Sequence, residues 1–190
     1  MFFIKRVNEA NHIKYDTEED IENCIAYIFN ICKTMEDQKR PGHMIGDFVG
    51  CSHFFGIHSQ ELDANCVATQ MIANNRAYGK SKNNLLMHRV IVFSADEDVM
   101  PNEAFQLAQY IANLYGEEYI TAFGIHLDTD KIHIHLAINA ISWRDGKRFS
   151  KSYEFNWLYG IVERWDNQRN EIMMQNPKDI ARHSWYFGRE

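Results

Sequence analysis

Long hydrophobic runs are missing from this 190-residue chain. No stretch approaches the roughly 18 consecutive apolar residues that a membrane-spanning helix needs, so membrane insertion is not expected. Proline is scarce, with three residues, and no Pro/Gly/Ser-rich linker, internal repeat or low-complexity tract divides the chain. One domain spanning 1–190 is the simplest organisation at this length. No cysteine pair has C-x-x-C spacing: the four stand at 24, 32, 51 and 66. That argues against a zinc knuckle or a thioredoxin-type motif. Their even number would permit two disulfides. However, the opening MFFIKRVNEA lacks the apolar run and small-residue cleavage site of a secretory signal. Reduced cysteines in a cytoplasmic protein, packed as small buried hydrophobes, are therefore expected. Positive charge is also in deficit: 20 Lys and Arg face 26 Asp and Glu, a formal charge of −6. A uniformly basic nucleic-acid coat protein is excluded, because a polyanion would meet a repulsive average field.

What is present is enough apolar residue, 45% of the chain, for an ordinary core. FFIKRV (2–7) reads as a first strand. Thr17 followed by Asp20 reads as a helix N-cap. Behind it, Ile21, Cys24, Ile25, Ile28, Ile31 and Cys32 recur at spacings of three and four, predicting a helix that ends near Lys33. Residues 34–58 suggest an irregular loop with a short strand around Phe48, and 60–77 a second helix. GKSKNN is a turn, and LLMHRVIVFS a strand dense in β-branched and aliphatic residues. Pro101 sits where helices begin, and Gly116 at the expected C-cap of the following helix. EYITAFGIHL and KIHIHLAINAIS are two further strands, and 153–174 a long helix after the turn RDGK. The order predicts an α+β fold with helices packed on an antiparallel sheet.

Three of the nine histidines fall within ten residues, at 126, 133 and 135. A hairpin turning through Asp128 to Lys131 pairs Leu127 with Ile132. Counting outward sets His126 opposite His133 and Gly124 opposite His135. Residues two apart on a strand share a face, about 6–7 Å apart at Cα. Directly opposed residues have Cβ atoms roughly 4.5–5.5 Å apart. All three imidazoles converge on one patch, with space left beside Gly124. Ile132, Ile134, Leu136 and Ile138 form an apolar row on the other face, which predicts that the histidines lie on the face opposite the core. Converging neutral imidazoles on a rigid sheet suit a metal site with open positions. Asp128 is placed either to orient a ligating histidine or to bind the metal. Asn139 lies farther along the same face. Without a ligand, these would simply be exposed strand histidines.

At these residues the chain resembles the relaxase/mobilisation nucleases, the His-hydrophobe-His endonucleases of conjugative and mobilisable elements. His126, Asp128, His133, His135 and Asn139 align with their third motif, H-x-D-x(n)-H-x-H-x-x-x-N. IENCIAYIFNICKT resembles their first motif, a helix carrying a tyrosine followed by Asn and Lys-Thr. MHRVIVFS resembles their central strand, ending in Ser94, and NAISWRDGKRF the strand and turn after the third motif. The resemblance implies a site-specific transesterase whose tyrosine attacks one phosphodiester of a transfer origin. It implies a 5′-phosphotyrosine, a released 3′-hydroxyl, and Mg²⁺ or Mn²⁺ held by the three histidines. The implied partners are single-stranded DNA at the nick site and accessory relaxosome proteins, in the bacterial cytoplasm, with no small-molecule substrate. Relaxases often continue into a second domain, so a chain ending at Glu190 suggests the N-terminal, catalytic fragment of a longer protein.

Tyr27 is the candidate nucleophile, by its position in the resembling first motif. It falls off the centre of the buried helical stripe, so its ring can reach out. Tyr15 is the nearest alternative. His88 and Ser94, on the strand expected to neighbour the hairpin, are candidate DNA contacts; for His88 a structural and a catalytic role stand equal, and for Ser94 a turn cap is the plainer reading. Glu22 would by default be a solvated charge. Residues 95–118 carry six acidic groups and no Lys or Arg. That equals the whole negative excess and predicts a face turned away from DNA. Basic residues gather at Lys39 and Arg40, at Arg76, Lys80 and Lys82, and at Arg144, Lys147, Arg148 and Lys151. Together they offer phosphate contacts, with Trp143 or Phe149 as a stacking surface. Two rivals share parts of this pattern. A rolling-circle replication initiator would use the same chemistry on a different origin. A non-haem iron oxygenase would use His126-x-Asp128 plus one histidine, though its third ligand normally comes from a distant strand.

Overall fold

Among the described residues, antiparallel pairing holds five strands in the order β1-β3-β5-β4-β2. They are β1 (Phe3–Arg6), β2 (Val49–Ser52), β3 (Leu86–Val92), β4 (Thr121–His126) and β5 (His133–Asn139). The computed structural model describes residues 2–7, 13–34, 48–52, 63–94, 97–150 and 152–175. Its contacts divide the chain into two units, Met1–Phe149 and Ser150–Glu190. Among its described residues the first holds the sheet and four helices: α1 (Glu18–Ile28), α2 (Ile31–Thr34), α3 (Ala64–Ala77) and α4 (Pro101–Gly116). The second holds α5 (Glu154–Gln175). There Arg169 pairs with Asp166 one turn away and lies 5.6 Å from the Trp165 ring. The fold is α+β, with an antiparallel sheet and helices packed on it.

The strand register follows the turn chemistry. His126 faces His133 and Gly124 faces His135, the pairing that counting outward from the Asp128–Lys131 turn gives. On the other side of β5, Val90 faces His135 and His88 faces Ala137. One face of the sheet therefore carries His88, Val90, Val92, His126, His133 and His135. The opposite face carries Phe123, Leu136 and Ile134.

Both faces are covered. α4 packs on the Phe123 face, with Phe105 and Phe123 rings 5.3 Å apart. α1 and α3 pack on each other and on the histidine face, around Ile21, Ile25, Ile28, Val67, Met71, Ala122 and Ala137. This corrects the expectation that the histidines lie opposite the core. Ala122 and Ala137 pair across the strands, and two small side chains leave room for helices on that face. His126 is 1% exposed and His135 6%.

α1 begins as its sequence dictates. Thr17 N–H donates to Asp20 Oδ2 (2.8 Å) and Asp20 N–H to Thr17 Oγ1 (3.2 Å), a reciprocal cap. It ends earlier than the apolar spacing suggests. The helix stops at Ile28, and Asn30 O accepts the N–H groups of Lys33 (2.8 Å) and Thr34 (3.1 Å) to start α2. An unbroken helix would use the Ile28 carbonyl four residues on; the break leaves it available elsewhere. At the end of α4, Gly116 is the last helical residue rather than a left-handed cap, since Glu117 follows in right-handed helical geometry. The Gly116 carbonyl instead accepts Trp143 Nε1–H at 3.0 Å.

Candidate functional site

The β4–β5 hairpin brings His126 and His135 ring centroids to 4.1 Å, with His133 6.2 Å from His135. α1 sets Tyr27 over them. Its ring stands edge-on, 5.1 Å from His126 and 5.4 Å from His135, and Tyr27 is 44% exposed. The patch opens into a cleft of about 520 Å³ lined by Tyr15, Tyr27, His88, His133 and His135, with Val90 and Lys5. The released Ile28 carbonyl lies 3.1 Å from His126 Nε2. That close approach of α1 to β4 depends on Gly124, where a Cβ would sit 2.3 Å from Ile28 O. The space expected beside Gly124 is filled by this carbonyl.

Burial holds the imidazoles neutral. It pushes His88 down to about 4, helped by charge on His126 and Arg89. It pushes His135 further down, helped by His126, His88 and His133. His126 and His133 are also lowered, chiefly by burial; the Ile28 carbonyl and Asp128 oppose this at His126, and Asp128 at His133. Neutral imidazole is the form that ligates a metal. A carbonyl can only accept, so His126 carries its proton on Nε2 and keeps Nδ1 for a ligand. His135 Nδ1 lies 2.9 Å from His88 Nε2, which leaves Nε2 on the open side. Second partners of this kind orient metal-binding histidines, so the donor set fits a divalent cation. Among the described residues no three His, Cys, Asp or Glu are gathered as a formed metal group.

Asp128 does not touch a histidine. Its carboxylate accepts from Lys33 Nζ at 2.5 Å. Burial opposes ionisation there, but the Lys33 bond and charge prevail and hold the carboxyl below its usual range. Lys33 in turn lies 5.3 Å from the Tyr27 ring centroid. Its place at the site was not read from the sequence. In a continuous helix it would sit away from Tyr27, and only the break at Asn30 turns it back. The hydroxyl of Tyr15, the alternative nucleophile, lies 2.9 Å from His88 Nδ1. A buried contact across 73 positions leaves no local pattern to read.

The candidate DNA contacts are dispersed. His88 is 4% exposed and lies behind His135 rather than on the surface. Asn139 is fully buried at the far end of β5, where its Oδ1 accepts Ile141 N–H and its Nδ2 donates to the Met71 carbonyl. Ser94 lies past the end of β3, its N–H donating to Glu97 at 2.7 Å. Arg76 pairs with Glu18 at 2.5 Å, and Lys147 with Asp145 at 2.7 Å. The Arg148 guanidinium donates to the carbonyls of Lys82, Asn83 and Asn84, tying two loops together. Lys39, Arg40 and Lys151 lie outside the described residues. Within the acidic 95–118 segment, α4 lies on the sheet face opposite the histidines. No helix among the described residues is long and apolar enough to cross a membrane.

The family model "Relaxase: MobA/VirD2-like, nuclease domain" matches residues 50–172, a stretch that includes the whole histidine hairpin and begins after Tyr27. The group II intron-interrupted relaxase LtrB of Lactococcus lactis subsp. cremoris (strain MG1363) is 29% identical over 154 residues, covering 75% of this chain and 26% of that protein. Protein rlx of Staphylococcus aureus is 30% identical over 90 residues, covering 47% of this chain and 27% of that protein. The chain thus spans about a quarter of the length of these curated relatives.

Proposed function

The chain belongs to the MobA/VirD2-like relaxase nuclease-domain family, and from that premise we propose that it nicks one DNA strand at a transfer origin by transesterification, with Tyr27 as the nucleophile. The observation that carries the reading is the stance of the exposed Tyr27 ring over His126 and His135, at the mouth of an open cleft. Tyr27 attacks phosphorus through its hydroxyl oxygen. The new bond is a 5′-phosphotyrosine ester, and the bond broken is that to the 3′-oxygen, which leaves as a 3′-hydroxyl. One phosphodiester is exchanged for another, so religation is the same step reversed.

A phenol is a weak nucleophile near neutrality, because its proton is ordinarily lost only near pH 10. A divalent cation, Mg²⁺ or Mn²⁺, held by His126, His133 and His135 would offset negative charge on the scissile phosphate and fix its geometry. The protein's own groups do the rest. Lys33 lies beside the Tyr27 ring and supplies positive charge where the phosphate must sit. Asp128 holds Lys33 there. Ile28 O and His88 orient His126 and His135. Single-stranded origin DNA is the substrate, and accessory relaxosome proteins, which expose that strand, are the partners in the bacterial cytoplasm.

The test is incubation with single-stranded oligonucleotides spanning the origin of the element that carries the gene, with Mn²⁺, followed by a denaturing gel. The wild type should form a protein–DNA adduct and Tyr27→Phe should not. An adduct that persists in Tyr27→Phe removes Tyr27 from the role and turns attention to Tyr15. No adduct from any part of the origin overturns the nicking activity.

A further inference from the structure

Tyr15 looks like a core residue. It is 7% exposed, and its carbonyl accepts Leu85 N–H at 2.7 Å. Its hydroxyl nevertheless ends a chain of buried contacts that leads into the site. Tyr15 Oη lies 2.9 Å from His88 Nδ1, and His88 Nε2 lies 2.9 Å from His135 Nδ1. Each hydrogen bond holds one proton, and each neutral imidazole carries one. Two arrangements satisfy both contacts. In the first, Tyr15 O–H donates to His88, His88 Nε2–H donates to His135 Nδ1, and the outward His135 Nε2 carries a proton. In the second, His135 Nδ1–H donates to His88 Nε2, His88 Nδ1–H donates to Tyr15 Oη, and His135 Nε2 shows a bare lone pair.

The second arrangement turns the Tyr15 proton away from His88, and the Cys24 thiol is an electrostatic neighbour of that hydroxyl. Cys24 Sγ also lies 3.9 Å from His88 Nδ1, so the three groups form one enclosed cluster. Only this arrangement gives His135 a nitrogen that can ligate. It also matches His126, whose inner nitrogen is fixed by a carbonyl. We propose that Tyr15 and His88 are positioning residues that hold His135 with its proton on Nδ1 and its Nε2 lone pair directed into the cleft. The inference rests on the reading of His135 as a metal ligand and adds two residues that support it. Tyr15 is thereby assigned a part other than nucleophile.

Long-range proton–nitrogen NMR of ¹⁵N-imidazole-labelled, metal-free protein reads the tautomer directly. The wild type should show His135 protonated on Nδ1. Tyr15→Phe keeps the ring but removes the oxygen, and it should move the proton to Nε2 in a large share of molecules. His88→Gln should keep the wild-type tautomer, because its carboxamide oxygen can accept from His135 and its NH₂ can donate to Tyr15. His88→Leu should lose it. Titration with Mn²⁺ alone should show affinity roughly tenfold weaker in Tyr15→Phe, at an unchanged thermal midpoint. Wild-type His135 protonated on Nε2 overturns the proposal, as does a Tyr15→Phe protein with unaltered tautomer and Mn²⁺ affinity. If the tautomers behave as stated but Mn²⁺ binding is indifferent to His135→Ala, the metal-ligand reading falls and takes the purpose of the relay with it.

Discussion

Lys33 Nζ lies 2.5 Å from Asp128 Oδ2 and 5.3 Å from the Tyr27 ring centroid. One ion pair thus joins the short helix after the α1 break to the turn of the histidine hairpin. Both side chains are about a third exposed or slightly less, so the pair adds little stability, on the order of 1 kcal/mol or below. Its value lies in where it holds the ammonium. Lys33→Met should leave the urea midpoint nearly unchanged and slow adduct formation by up to roughly a hundredfold. Lys33→Arg should recover part of the rate. A Lys33→Met protein with wild-type adduct kinetics at saturating Mn²⁺ would remove Lys33 from the chemistry.

Gly124 is required by a close approach rather than by its backbone torsions. Alanine there would put a methyl group 2.3 Å from the Ile28 carbonyl oxygen and 3.0 Å from the Ile28 side chain. The obstacle is backbone, so the end of α1 must move away. Gly124→Ala should cost about 1–3 kcal/mol in urea unfolding, the range for overpacking. It should also break the His126–Ile28 contact and displace Tyr27. Adduct yield should then fall in folded protein, below any temperature at which the variant melts. Full adduct formation in a destabilised but folded variant would separate the Gly124 contact from function.

How far the sequence carried this picture depended on the range of each interaction. The hairpin register is local: turn residues Asp128 to Lys131 and an alternating strand determine which histidines oppose each other, and the pairing follows by counting. The covering of the histidine face is not local. The row Ile132, Ile134, Leu136 and Ile138 looks like the only core surface, because Ala122 and Ala137 carry too little apolar mass to announce that helices pack on them. The break in α1 is similarly hidden. Ile31 and Cys32 continue the apolar spacing, while the forces that stop the helix, Asn30 capping α2 and His126 meeting Ile28 O, depend on the tertiary fold. Tyr15 and His88 meet across 73 positions, a contact that no periodicity encodes.

The basic groups after β5 separate into two kinds. Arg148 donates to three backbone carbonyls at residues 82–84, so its guanidinium is committed to the fold. Lys147 is largely exposed and pairs only across a short turn with Asp145. Arg148→Ala should lower stability by about 1–2 kcal/mol, the scale of charged hydrogen bonds. Lys147→Ala should leave stability unchanged. If this turn meets DNA phosphates, Lys147→Ala should weaken single-strand binding and reduce the slope of log K against log salt by less than one unit. Equal loss of stability in both variants would contradict the division.

Alkaline pH should weaken the fold through buried neutral groups. Burial pushes the Cys51 thiol from near 9 up to about 12. It is also the main reason the Tyr119 hydroxyl rises from 10 to about 12, with the Glu118 charge adding to it. In the unfolded chain both groups lose their protons at ordinary values, while in the fold they keep them. A proton bound more tightly by the folded state stabilises it fully below the unfolded value, and that contribution disappears as pH rises toward the folded one. The urea midpoint should therefore hold steady up to about pH 8.5 and fall progressively from pH 9 toward 12. Cys51→Ala removes one of these buried groups and should make the decline shallower, most visibly just above pH 9, where the unfolded thiol ionises first. A decline of equal steepness in Cys51→Ala would show that the thiol is not held neutral by the fold.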